Sequence, residues 1–223
     1  MKLHLQIPDS LNDISLEDFQ KFEKINVKGN HDTVFLMQKK VEIFCKVDLN
    51  LTLNIKFNDL VDIDNHINNI LQSDVDLTTV FKMDDIEYGF IPNLDDITLG
   101  EYIDLDNYLG SWNDMHKALS VLYRPVTYRK DKRYLIEDYE GTKYAEIMLK
   151  SPLSVAIGAM VFFWNLNSEL LNHTLNYLRK EVTEKLTPQE LEVLQQNGVG
   201  INQSLHSLTE ILSDLNISLS SEH

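Results

Sequence analysis

Hydrophobic spacing along this 223-residue chain switches between the helical and the strand period several times. Lys2 to Ile7 alternate and predict a short N-terminal strand, stopped by Pro8-Asp9-Ser10. Ser15, with Asp18 three residues on, makes a capping-box-like start for a helix to about Ile25, with Leu16, Phe19 and Phe22 on one face. Gly29-Asn30 ends it. A second helix, Asp32 to Val47, is expected to bury Val34, Met37, Val41 and Phe44. Leu49 to Phe57 is ambiguous. Asn58 then caps a third helix through Leu71, with Leu60, Ile63, Ile67, Ile70 and Leu71 inward.

From Thr79 to Ile91 two β-rich arms flank Asp84-Asp85 and predict a hairpin. Thr98-Leu-Gly-Glu101 is a capping box opening a helix toward Tyr108. Gly110-Ser111 breaks it, and Ser111 with Asp114 restarts a helix to Tyr123, closed by Pro125. A second hairpin, Val126 to Ile136, turns at Lys130-Asp131-Lys132. Ser151-Pro152 reads as an N-cap and first helical residue, opening a helix of about 30 residues to Val182. Its first half is apolar nearly all round and should be the central buried helix; its second half narrows to a stripe. Thr187-Pro-Gln-Glu190 caps a short helix to Gln196, and a last amphipathic helix runs from Ile201 to Leu215.

These elements give a helix-rich α+β protein: a mostly α-helical core, a short N-terminal strand and two β-hairpins. Residues 1–186 form the main globular domain. Residues 187–223 are either a C-terminal helical arm or the last helices of that domain, since Leu186 to Gly200 suits a hinge or an ordinary loop.

Composition narrows the function classes. Hydrophobic residues make up 43% of the chain, enough for a sizeable core. The net charge of −15 is unusual. It opposes nonspecific nucleic-acid binding, which requires a basic footprint, and peripheral binding to anionic lipid. It leaves open simple solubility, a basic partner, or mimicry of nucleic acid. The N-terminus lacks the long apolar core of a signal peptide, and the longest apolar run, Leu153 to Trp164, falls short of a bilayer span; both predict an intracellular protein. Cys45 stands alone in the apolar run VEIFCKV, the setting of a buried, inert thiol.

No motif predicts catalysis, a metal or a cofactor. A G-x-S-x-G elbow is absent, and the seven histidines include no His-x-x-x-His pair. Asp62-Ile-Asp64-Asn65 and Asp104-Leu-Asp106-Asn107 open like calcium loops but lack the Gly at the sixth position and the Glu at the twelfth. Gly198-Val-Gly200 has no following Lys and no preceding strand to make a phosphate loop.

One charge pattern does stand out. Asp84 to Asp114 contains no Lys or Arg, and a basic block follows: Lys117, Arg124, Arg129, Lys130, Lys132 and Arg133, against a lone Asp131. The asymmetry predicts either faces of opposite sign, suited to head-to-tail association of copies, or an internal clasp. Within the acidic block, Asp95, Asp96, Glu101, Tyr102, Asp104, Asp106, Tyr108 and Trp112 form a candidate interaction surface, in which rings supply contact area and carboxylates keep a complex soluble. The competing reading places the rings in the core.

The run Tyr88-Gly-Phe-Ile-Pro-Asn-Leu-Asp-Asp-Ile-Thr-Leu-Gly-Glu-Tyr-Ile-Asp-Leu-Asp106 is similar to a segment of uncharacterised structural and assembly proteins of tailed bacteriophages. The likeness continues through Trp112, His116-Lys117 and Leu122-Tyr-Arg-Pro125, and resumes at Tyr139-Glu-Gly-Thr142 and Pro152 to Phe163. It implies a small, acidic, non-enzymatic tail or baseplate assembly chaperone. The partners it implies are tail, baseplate or connector subunits, or copies of the chain itself. Its place would be the host cytoplasm during assembly, or the virion. The alternatives are a stoichiometric virion component, such as a connector ring or packaged cargo protein, and an acidic DNA mimic that inhibits a host enzyme.

Overall fold

The computed structural model describes residues 5–26 and 33–182. Within these residues eight α-helices and four strands, besides three single 3-10 turns, follow in the order α1 (Leu16–Glu23), α2 (Thr33–Phe44), α3 (Leu49–Thr52), α4 (Phe57–Leu71), β1 (Val80–Met83), β2 (Ile86–Phe90), α5 (Leu99–Tyr108), α6 (Met115–Leu122), β3 (Tyr123–Lys130), β4 (Arg133–Ile136), α7 (Ala145–Met148) and α8 (Leu153–Val182). The helix-rich α+β class is as expected. The N-terminal strand expected from Lys2 lies partly outside the described residues, and Leu5 to Ile7 are irregular. The division at residue 186 and both C-terminal helices lie outside them.

Side-chain caps open α1, α3 and α5. The Ser15 hydroxyl accepts from Asp18 N at the head of α1, whose Leu16, Phe19 and Phe22 are buried. The remaining amides of that first turn are satisfied by distant backbone: Leu16 N donates to Ser151 O at 2.9 Å and Glu17 N to Leu149 O at 2.8 Å. Lys46, at φ 54°, takes the left-handed conformation just past α2. In α4 all five predicted apolar positions are buried.

Several expectations need correction. Helix α4 starts from Lys56 rather than from a cap at Asn58. Val34 is exposed, because the buried stripe of α2 falls on Lys40, Val41 and Phe44. Lys40 is accommodated inside because its ammonium donates to Asp64 at 2.6 Å and to Asn68 at 2.7 Å and lies over the Phe22 ring. Ser151 does not cap α8; its hydroxyl donates back to Met148 O, and the helix begins at Leu153. Pro125 does not close α6, which passes directly into β3 at Tyr123.

The two hairpins join into one antiparallel sheet of order β1-β2-β3-β4, because β2 also pairs with β3. The first hairpin turns at Asp84-Asp85, both at positive φ, which matches the twist of the strands it connects. In the second pairing Ile91 N donates to Leu122 O, so the two-residue alternation makes Gly89–Arg124 the next bonded pair. Tyr88–Pro125 then falls at an unbonded pair, where proline lacks nothing that β2 could accept. Gly89 is required there: a Cβ would lie 2.5 Å from the Tyr134 ring and 2.9 Å from Ile136.

The core gathers between this sheet, α6 and the first turns of α8. Tyr88, Phe90 and Tyr123 project from one face of the sheet, and Phe90 meets the rings of Phe162 and Phe163 edge-on or tilted. From Leu153 to Met160 every residue of α8 is buried, and at Gly158 the missing Cβ lets Asp76 O approach to 2.6 Å of that position. The helix then emerges, and Leu166 and Leu170 are exposed. Its apolar stretch exceeds the predicted run: by length and composition Leu153–Leu170 could cross a membrane, and 44% of it is buried within the protein.

Candidate interaction surface

The acidic-aromatic segment folds around α5, and the two sides of that helix differ. Thr98 Oγ1 accepts from Glu101 N at 3.2 Å, and Glu101 Oε2 accepts from Thr98 N at 2.7 Å, closing the predicted capping box. The other carboxylate oxygen, Oε1, meets Arg124 Nη2 at 2.7 Å, and both side chains are buried. Tyr139 stands over this guanidinium, 5.9 Å from ring centroid to Cζ, and its hydroxyl donates to Asp104. Burial, reinforced by that carboxylate, raises the Tyr139 phenol above its ordinary value. With Leu105 and Leu109 these contacts lock one side of α5 against the body of the protein.

Among the described residues nothing covers the opposite side. Leu99, Tyr102 and Ile103 are 74%, 58% and 47% exposed. Asp106 continues the same stripe one turn on, and Asp95 and Asp96 lie exposed in the single turn just before the helix. None of these three carboxylates is ion-paired among the described residues. The result is an apolar centre with an acidic rim.

The candidate residues therefore separate. Tyr102 and Asp106 share the open side, and Asp95 and Asp96 are exposed in the turn that leads into the helix. Asp104 is half-buried and held by Tyr139. Glu101 and Trp112 are interior and unavailable as contact surface. Trp112 meets Phe19 edge-on, with ring centroids 4.6 Å apart, and its carbonyl accepts from Gln20 Nε2. Tyr108 is half-buried beneath the ammonium of Lys117, 5.2 Å from its ring centroid, and Lys117 also pairs with Asp114 at 2.7 Å. Leu99 and Ile103 were missed. Their signal is present in the spacing: Leu99, Tyr102, Ile103 and Asp106 repeat at helical period opposite Glu101, Leu105 and Leu109.

The basic residues divide in the same way. Arg124 is buried in the clasp with Glu101, and Arg129 meets Glu87 at 2.9 Å on the surface. Lys130, Lys132 and Arg133 are exposed at the tip of the second hairpin. Both predicted arrangements thus coexist: an internal clasp at the root of β3 and an open basic patch at its tip.

The calcium-loop-like runs lie within helices, Asp62 to Asn65 in α4 and Asp104 to Asn107 in α5, with Asp64 held by Lys40 and Asp104 by Tyr139. Among the described residues no group of three or more His, Cys, Asp or Glu is arranged to hold a metal ion. Cys45 is buried, and burial pushes its thiol up to about 11, away from reactivity at neutral pH. A cavity of about 360 Å³ opens among α1, α2 and α4, with Phe19, Phe22, Met37 and Leu71 as apolar walls and the Lys40–Asp64 pair on its polar side. Compared with known proteins, the chain matches no protein-family model, no curated protein and no solved structure.

Proposed function

We propose that the protein is a non-enzymatic bacteriophage morphogenesis factor that acts by protein–protein contact, as a tail or baseplate assembly chaperone in the host cytoplasm. The observation that carries this reading is the open side of α5, where Leu99, Tyr102 and Ile103 are exposed together inside an acidic rim. An apolar patch presented on an anchored helix suits a docking surface, because little order has to be imposed when a partner binds. The carboxylate rim keeps the complex soluble and favours a partner with basic residues around an apolar contact. The phage setting is supported by the resemblance of the Tyr88 to Asp106 run, whose C-terminal part forms most of this helix.

Affinity capture from infected cells tests the reading. The unaltered chain is expected to retain tail, baseplate or connector subunits. A Leu99→Ser/Tyr102→Ser/Ile103→Ser variant with an unchanged melting temperature is expected to lose them. Retention of the same subunits by that folded variant would remove α5 as the contact. Capture of a host DNA-binding enzyme, released by added DNA, would favour the mimic instead.

A further inference from the structure

The β3–β4 hairpin carries a second open surface whose chemistry mirrors that of α5. The register pairs Tyr128 with Leu135 and Lys130 with Arg133. Cross-strand partners point to the same side and residues alternate along a strand, so all four side chains share one face of the hairpin. Tyr128 and Leu135 are 57% and 60% exposed. Lys130 and Arg133 are exposed beside them, Lys132 in the turn adds a third cation, and none of the three is ion-paired among the described residues. The other face is closed: Arg129 pairs with Glu87, and Tyr134 covers Gly89 while its hydroxyl donates to Phe90 O and Thr79 O.

Two patches of one chain therefore share a plan with opposite sign. Each has an aromatic and aliphatic centre. The α5 patch is rimmed by Asp95, Asp96 and Asp106, the hairpin patch by Lys130, Lys132 and Arg133. Within one copy they face apart. Helix α5 is tied through Glu101 to Arg124, the register partner of Gly89, on the sheet face that Tyr134 covers, whereas Tyr128 and Leu135 project from the opposite face.

We propose that the α5 patch of one copy docks on the β3–β4 hairpin patch of a second copy, head to tail. The occupant is a second copy because the complementary charge and the apolar counterpart are both present on the same chain and cannot meet within it. The proposal rests on the reading of α5 as a contact surface and names a partner for it. Such a contact is heterologous: each assembly keeps one free α5 and one free hairpin, and grows until it closes into a ring or is capped. A structural subunit that docks on α5 with its own basic rim competes with self-association, which links assembly state to client binding.

Sedimentation velocity of the full chain at low and high ionic strength tests this. Association that rises with protein concentration and weakens with salt is expected. Two variants, Asp95→Asn/Asp96→Asn/Asp106→Asn and Lys130→Gln/Lys132→Gln/Arg133→Gln, should each associate about tenfold more weakly or worse, with melting temperatures unchanged. Mixed together they should form a one-to-one dimer that grows no further, since each keeps the patch the other lost. A monomeric unaltered chain, a mixture that stays monomeric, or self-association untouched by either variant would overturn the proposal. So would a hairpin that takes single-stranded nucleic acid in place of a second copy. Failure here is distinguishable from failure of the chaperone reading: the hairpin variant should still capture phage subunits through α5 whether or not copies associate.

Discussion

Two arginines of β3 each meet a carboxylate at nearly the same distance, Arg124 to Glu101 at 2.7 Å and Arg129 to Glu87 at 2.9 Å, yet they sit in different solvents. At the root of the strand the pair is buried, with a tyrosine ring over the guanidinium and a helix cap sharing the carboxylate. Toward the tip both partners are nearly half exposed. Water at the tip competes for each charge, so formation of the outer pair changes the free energy little. At the root no such competitor reaches the charges, and loss of one strands the other in a poorly solvating interior. Distance alone does not rank the two. The strand leaves the core at Val126, where a register irregularity between Val126 and Tyr128 shifts the alternation by one residue; Tyr128 returns to the face of Tyr123, but beyond the core it is exposed.

The largest test of this contrast is a pair of matched substitutions. Arg124→Met should destabilise by about 3–5 kcal/mol because Glu101 is left buried and unpaired. Arg129→Met should cost about 0–1 kcal/mol. Urea denaturation measures both, and equal losses would erase the distinction between root and tip. A smaller effect is expected at the seam between the hairpins. Gly89→Ala drives a methyl into Tyr134 and Ile136, an overpacking cost of about 1–3 kcal/mol. If it proves neutral, the closed face of the hairpin is looser than its contacts imply.

The smallest effect concerns His116, which lies between the two extremes of burial. Burial lowers its pKa below the ordinary 6.5, aided by Lys117 and Lys24 and opposed by Glu146 and Asp114. The unfolded chain therefore binds more protons there, so stability should rise with pH through the window between the lowered value and 6.5, and fall on acidification. Replacing His116 with Gln should flatten that part of a melting-temperature profile. An unchanged slope would assign it to the carboxylates instead.

Much of the fold was legible in local chemistry. The capping box at Thr98, the Asp84-Asp85 turn and the apolar stripe of α4 each depend on residues within a few positions, and each formed where expected. What escaped depends on partners far along the chain. The pairing of β2 with β3 joins segments more than thirty residues apart, and no local spacing sets its register. Pro125 looked like a helix stop because its tolerance in β3 rests on that distant pairing. Glu101 reads as surface because acidic residues surround it, and Trp112 reads as either surface or core; Arg124 and Phe19, brought in from elsewhere, make an interior for them. Lys40 is interior for the same kind of reason, since Asp64 on another helix is what allows it inside. The open side of α5 was only half visible, its acids and Tyr102 noticed and its aliphatic members overlooked.

Glu101 carries a further consequence for how the protein comes apart. One of its oxygens holds the first turn of α5, and the other holds the first bonded residue of β3. A helix start and a strand start thus share a single anion. Fraying of α5 would free that anion and unseat the guanidinium at the same moment, so the two elements belong to one cooperative unit. Their backbone amides should exchange with solvent together. The patch on the outer side of α5 is then only as persistent as the sheet behind it, and a partner that grips it stabilises β3 without touching it.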